Sequence, residues 1–186
     1  MWPADASGLH SNTAEYHFGH VPVPGEALSE TLETRAPMVL KPIATVRNDV
    51  TETGRRDWAH VVSEIVVEPA YVEALDGLDD FSHIVVLFWM HRSPTGRDVP
   101  NKTHPQMRPD LPLVGVFATR SPVRPNPLGM TVAKLLERRA NVIRVMGLDA
   151  VDGTPVVDIK PYLPDEAAAD ARVPDWIRKL RQSSSV

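Results

Sequence analysis

The apolar positions of this chain fall in short runs broken by turn residues, with no long helical face until the C-terminus. M-V-L-K-P-I-A-T-V at 38–46 runs into the turn Arg47-Asn48-Asp49, and V-V-S-E-I-V-V at 61–67 predicts a second strand. I-V-V-L-F-W-M at 84–90 is continuously apolar and β-branched at its start, which predicts a strand buried on both faces. Val114–Thr119 and Thr131–Glu137 predict further strands, although K-L-L-E in the second also fits a helical turn. Val142–Val151 and Pro155–Ile159 flank Asp152-Gly153, a pattern that predicts a hairpin. Pro69 opens a short helix through Leu75 that ends near Gly77. Glu166–Ala171 and Trp176–Leu180 read as helical, the latter with Trp176, Ile177 and Leu180 on one stripe beside Arg178, Lys179 and Arg181.

Many short strands and few helices predict a mainly β fold, a closed or partly closed β-barrel of about six or seven strands. Closure removes exposed sheet edges. Residues 1–37 are polar, rich in Pro, Gly, Ser and Glu, and aperiodic, which predicts a disordered or extended N-terminal segment. Residues 38–164 form the expected barrel domain, and 165–186 a short helical tail. Between the strands, residues 92–113 make a long loop with Pro94, Pro100, Pro105, Pro109 and Pro112. It carries Arg92, Arg97, Lys102 and Arg108 against Asp98 and Asp110. Long loops within compact domains are usually functional.

Composition narrows the chemistry. The 186 residues include 18 prolines, about twice the usual share, and no cysteine, so disulfides, thiolate metal sites and cysteine nucleophiles are excluded. The net charge of −4 argues against non-specific grip on duplex DNA. No apolar run approaches the ~18 residues of a membrane span and no secretion signal opens the chain, so the expected location is cytoplasmic, with no membrane partner. Seven histidines, at 10, 17, 20, 60, 83, 91 and 104, form no H-E-x-x-H pattern, and no metal site is expected. G-x-S-x-G, P-loop and dinucleotide glycine patterns are absent, as is the βαβ alternation that carries the latter two.

Two segments stand apart: F-A-T-R-S-P-V-R-P-N-P-L-G-M-T at 117–131 and L-D-A-V-D-G-T-P-V-V-D-I-K-P-Y-L-P at 148–164. In the first, Pro122, Pro125 and Pro127 remove three backbone donors and fix φ around Arg120, Arg124 and Asn126. A stiff backbone presenting two guanidinium groups and an amide loses little entropy when a ligand arrives. Arg120 has two readings, an ion pair with Asp149 or Asp158, or a ligand contact. His91 closes the apolar strand beside Arg92, where strand ends commonly carry site residues, whereas His83 at its start reads as a core histidine. Asp149 suits a cationic ligand and Asp152 a turn. Lys160 and Tyr162 suit either a phosphate, carboxylate or base, or packing at the barrel rim.

Together with F-S-H-I-V-V-L-F-W-M-H-R at 81–92, these two segments resemble the TrmO (TsaA-like, YaeB-like) family over roughly residues 40–164. The resemblance implies a homodimeric β-barrel methyltransferase that uses S-adenosylmethionine and methylates N6 of N6-threonylcarbamoyladenosine beside the anticodon of tRNA. By matching motif it implies cofactor contacts at His91, Arg92, Arg120, Met130, Leu148, Asp149, Ala150 and Val151. Arg124, Asn126, Lys160 and Tyr162 are then the candidates for the substrate, a guanidinium fork suiting the threonyl carboxylate. The basic loop 92–113 is placed to meet anticodon-loop phosphates. No side chain stands out as a general base, leaving water or the substrate's own carboxylate.

The resemblance departs at two points. Tested tRNA-modifying relatives carry P-R-Q early in the domain, where this chain reads T-G-R-R-D-W-A-H at 53–60, with Arg55 or Arg56 as a replacement. Larger bacterial relatives carry a C-terminal domain, where this chain has about twenty residues past Pro164. A barrel methyltransferase for a small molecule, or a non-catalytic S-adenosylmethionine-binding module, are the alternatives.

Overall fold

The computed structural model describes residues 39–54, 56–94 and 99–182; the expectations for residues 1–37 and for Arg55 lie outside them. Eight strands are present among the described residues: β1 (Ala44–Arg47), β2 (Val62–Val67), β3 (His83–Trp89), β4 (Lys102–Thr103), β5 (Val114–Gly115), β6 (Leu128–Arg139), β7 (Val142–Met146) and β8 (Pro155–Pro161). Six of them close into an antiparallel barrel in the order β1-β2-β7-β6-β3-β8, with β8 pairing back onto β1. β4 and β5 form a separate two-stranded ribbon. The C-terminal helix α1 spans Asp175–Gln182.

The barrel forms because inward positions are apolar at period two. Val46 on β1, Ile65 and Val67 on β2, Ile84 and Val86 on β3, Ala133 on β6, Ile143 and Val145 on β7 and Val156 on β8 are buried together. Each of these Val and Ile side chains contributes about 1.5–3 kcal/mol by leaving water. β3 is buried on its inner face only: Val85, Leu87 and Trp89 remain half-buried outside, against the expectation of burial on both faces.

Two other expectations change. Asp152-Gly153 is a turn, with Gly153 at φ 76°, yet it does not close a hairpin, because β7 and β8 are not neighbours in the barrel. The segment after β7 instead crosses the barrel end to reach β8, and the turn docks on β1, where Asp152 N donates to Val50 O (2.7 Å) and Gly153 N to Val46 O (2.9 Å). Val114–Thr119 makes only two strand residues before a 3-10 turn at Val116–Ala118, and Glu166–Ala171 is not helical beyond the 3-10 turn Pro164–Glu166. Pro69–Leu75 is 3-10, and the region 131–137 is strand throughout.

Candidate functional site

One end of the barrel gathers the sequence segments that looked unlike core. β3 ends at Trp89, paired with Leu128 at the start of β6, and Met90 N donates to Pro127 O (2.8 Å). His91 and Arg92 therefore emerge directly across from the proline-stiffened segment. Within that segment, side chains replace a ladder. Thr119 Oγ1 donates to Val116 O (2.8 Å) and accepts from Ser121 N (3.2 Å), and Ser121 Oγ accepts from Val123 N (3.2 Å).

The segment after β7 is held by its alternation and by one amide. Leu148 and Ala150 are buried, which turns Asp149 outward. Asn48 Nδ2 donates to Ala150 O (2.9 Å) and to Ser63 Oγ (2.8 Å), while its Oδ1 accepts from Val50 N (2.9 Å). Asn48 N donates to Asp152 Oδ1 (3.1 Å). The turn residue Asn48 thus ties β1, β2 and the 148–152 segment into one rim.

Two clefts open on this rim. The first, about 370 Å³, is walled by Trp58, Met90, His91, Arg92, Arg120 and Val151, among others. The second, about 570 Å³, is walled by Phe117, Arg120, Arg124, Asn126, Leu128 and Met130, among others. Phe88, Met90, Arg120 and Asp149 line both, so the clefts meet there. Phe88 packs against Gly129, its direct partner across the strands; a Cβ at Gly129 would lie 2.3 Å from the ring.

The rim arginines bond to backbone oxygen. Arg92 donates to Thr51 O, Arg120 Nη2 to Met130 O (2.7 Å) and Arg124 Nη1 to Thr119 O (3.5 Å). None of the three is ion-paired among the described residues, so the ion pair considered for Arg120 is not made; its charge is nonetheless felt by Asp149. The Asp149 carboxylate accepts a bond from Thr131 Oγ1. Solvent reaches it through the clefts, but their walls thin the water around it and push its pKa up, against the Thr131 bond, a backbone bond and the Arg120 charge, which pull it down. Partial burial and the neighbouring Arg92 lower the pKa of His91, whose Nδ1 lies 3.4 Å from the Oγ1 of buried Thr154.

The structure therefore brings His91, Arg92, Arg120, Asp149, Ala150 and Val151 into one cleft. Met130 sits in the second cleft with Arg124 and Asn126, and Leu148 faces the core. Lys160 and Tyr162 lie at the opposite end of the barrel: Lys160 pairs with Asp158 (2.7 Å) and Tyr162 packs edge-on against His83. Sequence reasoning missed Trp58, Thr53 and Gly54, although they fall in the stretch flagged as departing from P-R-Q, where Arg56 stacks over Trp58 at 5.7 Å. It also missed Thr131 and Asn48, which look like ordinary strand and turn residues. Among the described residues no cluster of His, Asp and Glu is arranged to hold a metal ion, and no helix is long and apolar enough to cross a membrane.

The fold is a closed antiparallel β-barrel with two clefts meeting on one rim, not a doubly wound parallel sheet. Residues 50–168 match the tRNA-methyltransferase O N-terminal domain, and the chain belongs to that family. It is 44% identical over 130 residues to a probable S-adenosyl-L-methionine-binding protein of Methanothermobacter thermautotrophicus, covering 69% of this chain and 87% of that one. It is 45% identical over 96 residues to the tRNA (adenine(37)-N6)-methyltransferase of Escherichia coli, covering 50% of this chain and 40% of that one. A solved TrmO from Pseudomonas aeruginosa superposes with a TM-score of 0.59 at 34% identity, covering 74% of this chain and 61% of that one. The chain thus spans less than two thirds of the length of these two tRNA-modifying relatives.

Proposed function

We propose that the protein transfers a methyl group from S-adenosylmethionine to N6 of N6-threonylcarbamoyladenosine next to the anticodon of tRNA. The observation that carries this reading is the meeting of the two clefts at Arg120 and Asp149. A two-substrate transfer needs adjoining sites, and in-line alignment of donor and acceptor alone supplies up to roughly 7–11 kcal/mol of the barrier. The first cleft fits the cofactor: its 370 Å³ lies in the usual range for small-ligand sites, Trp58, Phe88 and Met90 offer apolar surface, and Arg92 and Arg120 suit a carboxylate. Asp149 supplies negative charge near a cationic sulfur. When bound, S-adenosylmethionine provides the electrophilic methyl group; the protein's part is to hold, align and exclude water. In the second cleft, exposed Phe117 offers a stacking face for a flipped-out base, and Arg124 a fork for the threonyl carboxylate. A cytoplasmic location follows from a tRNA substrate.

The homodimer belongs to the same reading. Leu128, Met130 and Val132 are exposed on the outer face of β6, in register with Trp89, Leu87 and Val85 of β3. A second copy seated on this apolar stripe would also border the second cleft, which Leu128 and Met130 line. Val132→Glu should then shift sedimentation from dimer to monomer. The functional reading is tested with tRNA from a strain lacking this gene: the purified protein and S-adenosylmethionine should install one methyl group on threonylcarbamoyladenosine, by mass spectrometry of the nucleosides. Binding of the cofactor with no transfer to that tRNA would refute it.

A further inference from the structure

We infer that Asp149 is the proton acceptor for the methylated nitrogen, with Thr131 positioning its carboxylate; this rests on the methyl-transfer reading above. Three observations converge on it. Among the described residues, Asp149 is the one carboxylate lining either cleft, and it lines both. Its backbone is fixed from behind by buried Leu148 and Ala150 and by the Asn48 amide on Ala150 O, so the side chain is aimed at the junction rather than swinging in solvent. Its Oδ1 accepts from the hydroxyl of Thr131, a β6 residue, and the carboxylate, exposed at the clefts, retains acceptor capacity for a donor arriving there.

The chemistry asks for such a group. A nitrogen that carries a carbonyl substituent shares its lone pair with that carbonyl and is a poor nucleophile while protonated. In the step we assign, the N–H bond breaks and its proton passes to Asp149. The electron pair left on nitrogen forms the N–C bond, and the sulfur of the sulfonium donor keeps the S–C pair as a neutral thioether. Among the described residues, the charged and titratable groups lining the clefts with Asp149 are Arg120 from the stiff segment, Arg124 across the second cleft, and His91 and Arg92 from the end of β3. The Arg120 charge and the Thr131 bond favour the ionised form of Asp149, the form that accepts a proton. Crowding by the cleft walls brings its basicity above that of an ordinary aspartate, toward the working pH, which favours proton transfer.

The test uses the full chain with three variants, Asp149→Asn, Thr131→Val and His91→Asn. In wild type, kcat for tRNA methylation should fall on the acid side through the ionisation of Asp149. At saturating S-adenosylmethionine, Asp149→Asn should lower kcat by about 10²–10⁴-fold and abolish that acid limb. Thr131→Val removes the bond that holds the pKa down, so the acid limb should move to higher pH. Carbon-13 NMR of the labelled carboxyl in the ligand-free protein should show the same upward move without any turnover. His91→Asn should keep the acid limb, whatever it does to the rate. A turning-over wild type whose Asp149→Asn variant retains its limb, or a Thr131→Val variant whose limb and carboxyl titration stay put, overturns the assignment alone. A wild type that never methylates tRNA overturns the functional reading and this role with it.

Discussion

The two ends of the barrel use the same residue types to opposite ends. At the rim opposite the clefts, cations are matched to carboxylates. Arg138 sits 3.2 Å from Asp76 and 3.6 Å from Asp79, Arg144 2.6 Å from Glu137, and Lys160 2.7 Å from Asp158. At the cleft rim, Arg92, Arg120 and Arg124 are anchored by backbone carbonyls, which fix the guanidinium without cancelling its charge. The first arrangement ties neighbouring side chains on the barrel's outer surface; the second keeps positive charge available to an anionic group. Among the described residues, the presence or absence of a carboxylate partner thus distinguishes these far-rim cations from the three cleft arginines.

The largest effect should come from Arg120→Ala. It removes a charge shared by both clefts and the bond that holds Met130 O, and should weaken S-adenosylmethionine binding about 10–100-fold in calorimetry, as the loss of a charged hydrogen bond does. Lys160→Ala at the other rim should leave that affinity within twofold. Equal losses in the two variants would erase the distinction between the rims.

Gly129→Ala sharpens the comparison from inside. The added methyl group would lie 2.3 Å from the ring of Phe88, which is buried and lines both clefts. The ring must move, at a cost of about 1–3 kcal/mol by overpacking, and cofactor affinity should fall along with the melting temperature. A variant with wild-type melting and binding would show that Phe88 does not shape the cleft floor.

How much of this was legible in the sequence follows from what each residue depends on. Apolar runs are local, so β2, β3 and β7 could be located from V-S-E-I-V-V, I-V-V-L-F-W and V-I-R-V-M, but the unbroken run of β3 hides which of its faces is outward, and in β2 Ser63 points inward while Val62 is exposed. Strand order is not local. Asp152-Gly153 carries the chemistry of a hairpin turn, yet β7 finds β2 and β6 while β8 finds β1 and β3, so the turn spans the barrel end. The same distinction governs the site. His91, Arg92, Arg120 and Asp149 stood out by motif, but Lys160 and Tyr162, only four and six residues past Val156, are carried by β8 to the far end at about 3.3 Å per residue. Thr131 and Asn48 act through partners far away in the chain, Asp149 and Ala150, and nothing adjacent to either announces it.

Arg138→Ala should produce the converse of Arg120→Ala. The Arg138 side chain is 16% exposed and also donates to Leu75 O (3.3 Å) and Val72 O (3.4 Å), so its removal leaves partly buried carbonyls without their donor and Asp76 and Asp79 without their cation. A loss of about 1–3 kcal/mol in denaturant unfolding, with cofactor affinity unchanged, is expected. A large change in affinity instead would mean that the two rims are coupled through the barrel.

The smallest effect lies at the same rim, in the two-residue turn between β6 and β7. Ala140 holds φ at +53°, a left-handed conformation that costs an L-residue with a Cβ roughly 1–2 kcal/mol. The neighbouring Asn141 keeps the turn in place: Asn141 Nδ2 donates to Val67 O and Val67 N to Asn141 O, both at 2.8 Å. Ala140→Gly relieves the strain but widens the unfolded ensemble, which returns about 0.5–1 kcal/mol of the gain. The net expectation is about 0.5–1 kcal/mol of added stability, a rise of roughly 2 °C in melting temperature for a chain of this size, with methyl transfer and cofactor affinity unaltered. A fall in melting temperature would mean that the turn relaxes out of the left-handed region in solution, and that the rim remote from the clefts stores no strain of its own.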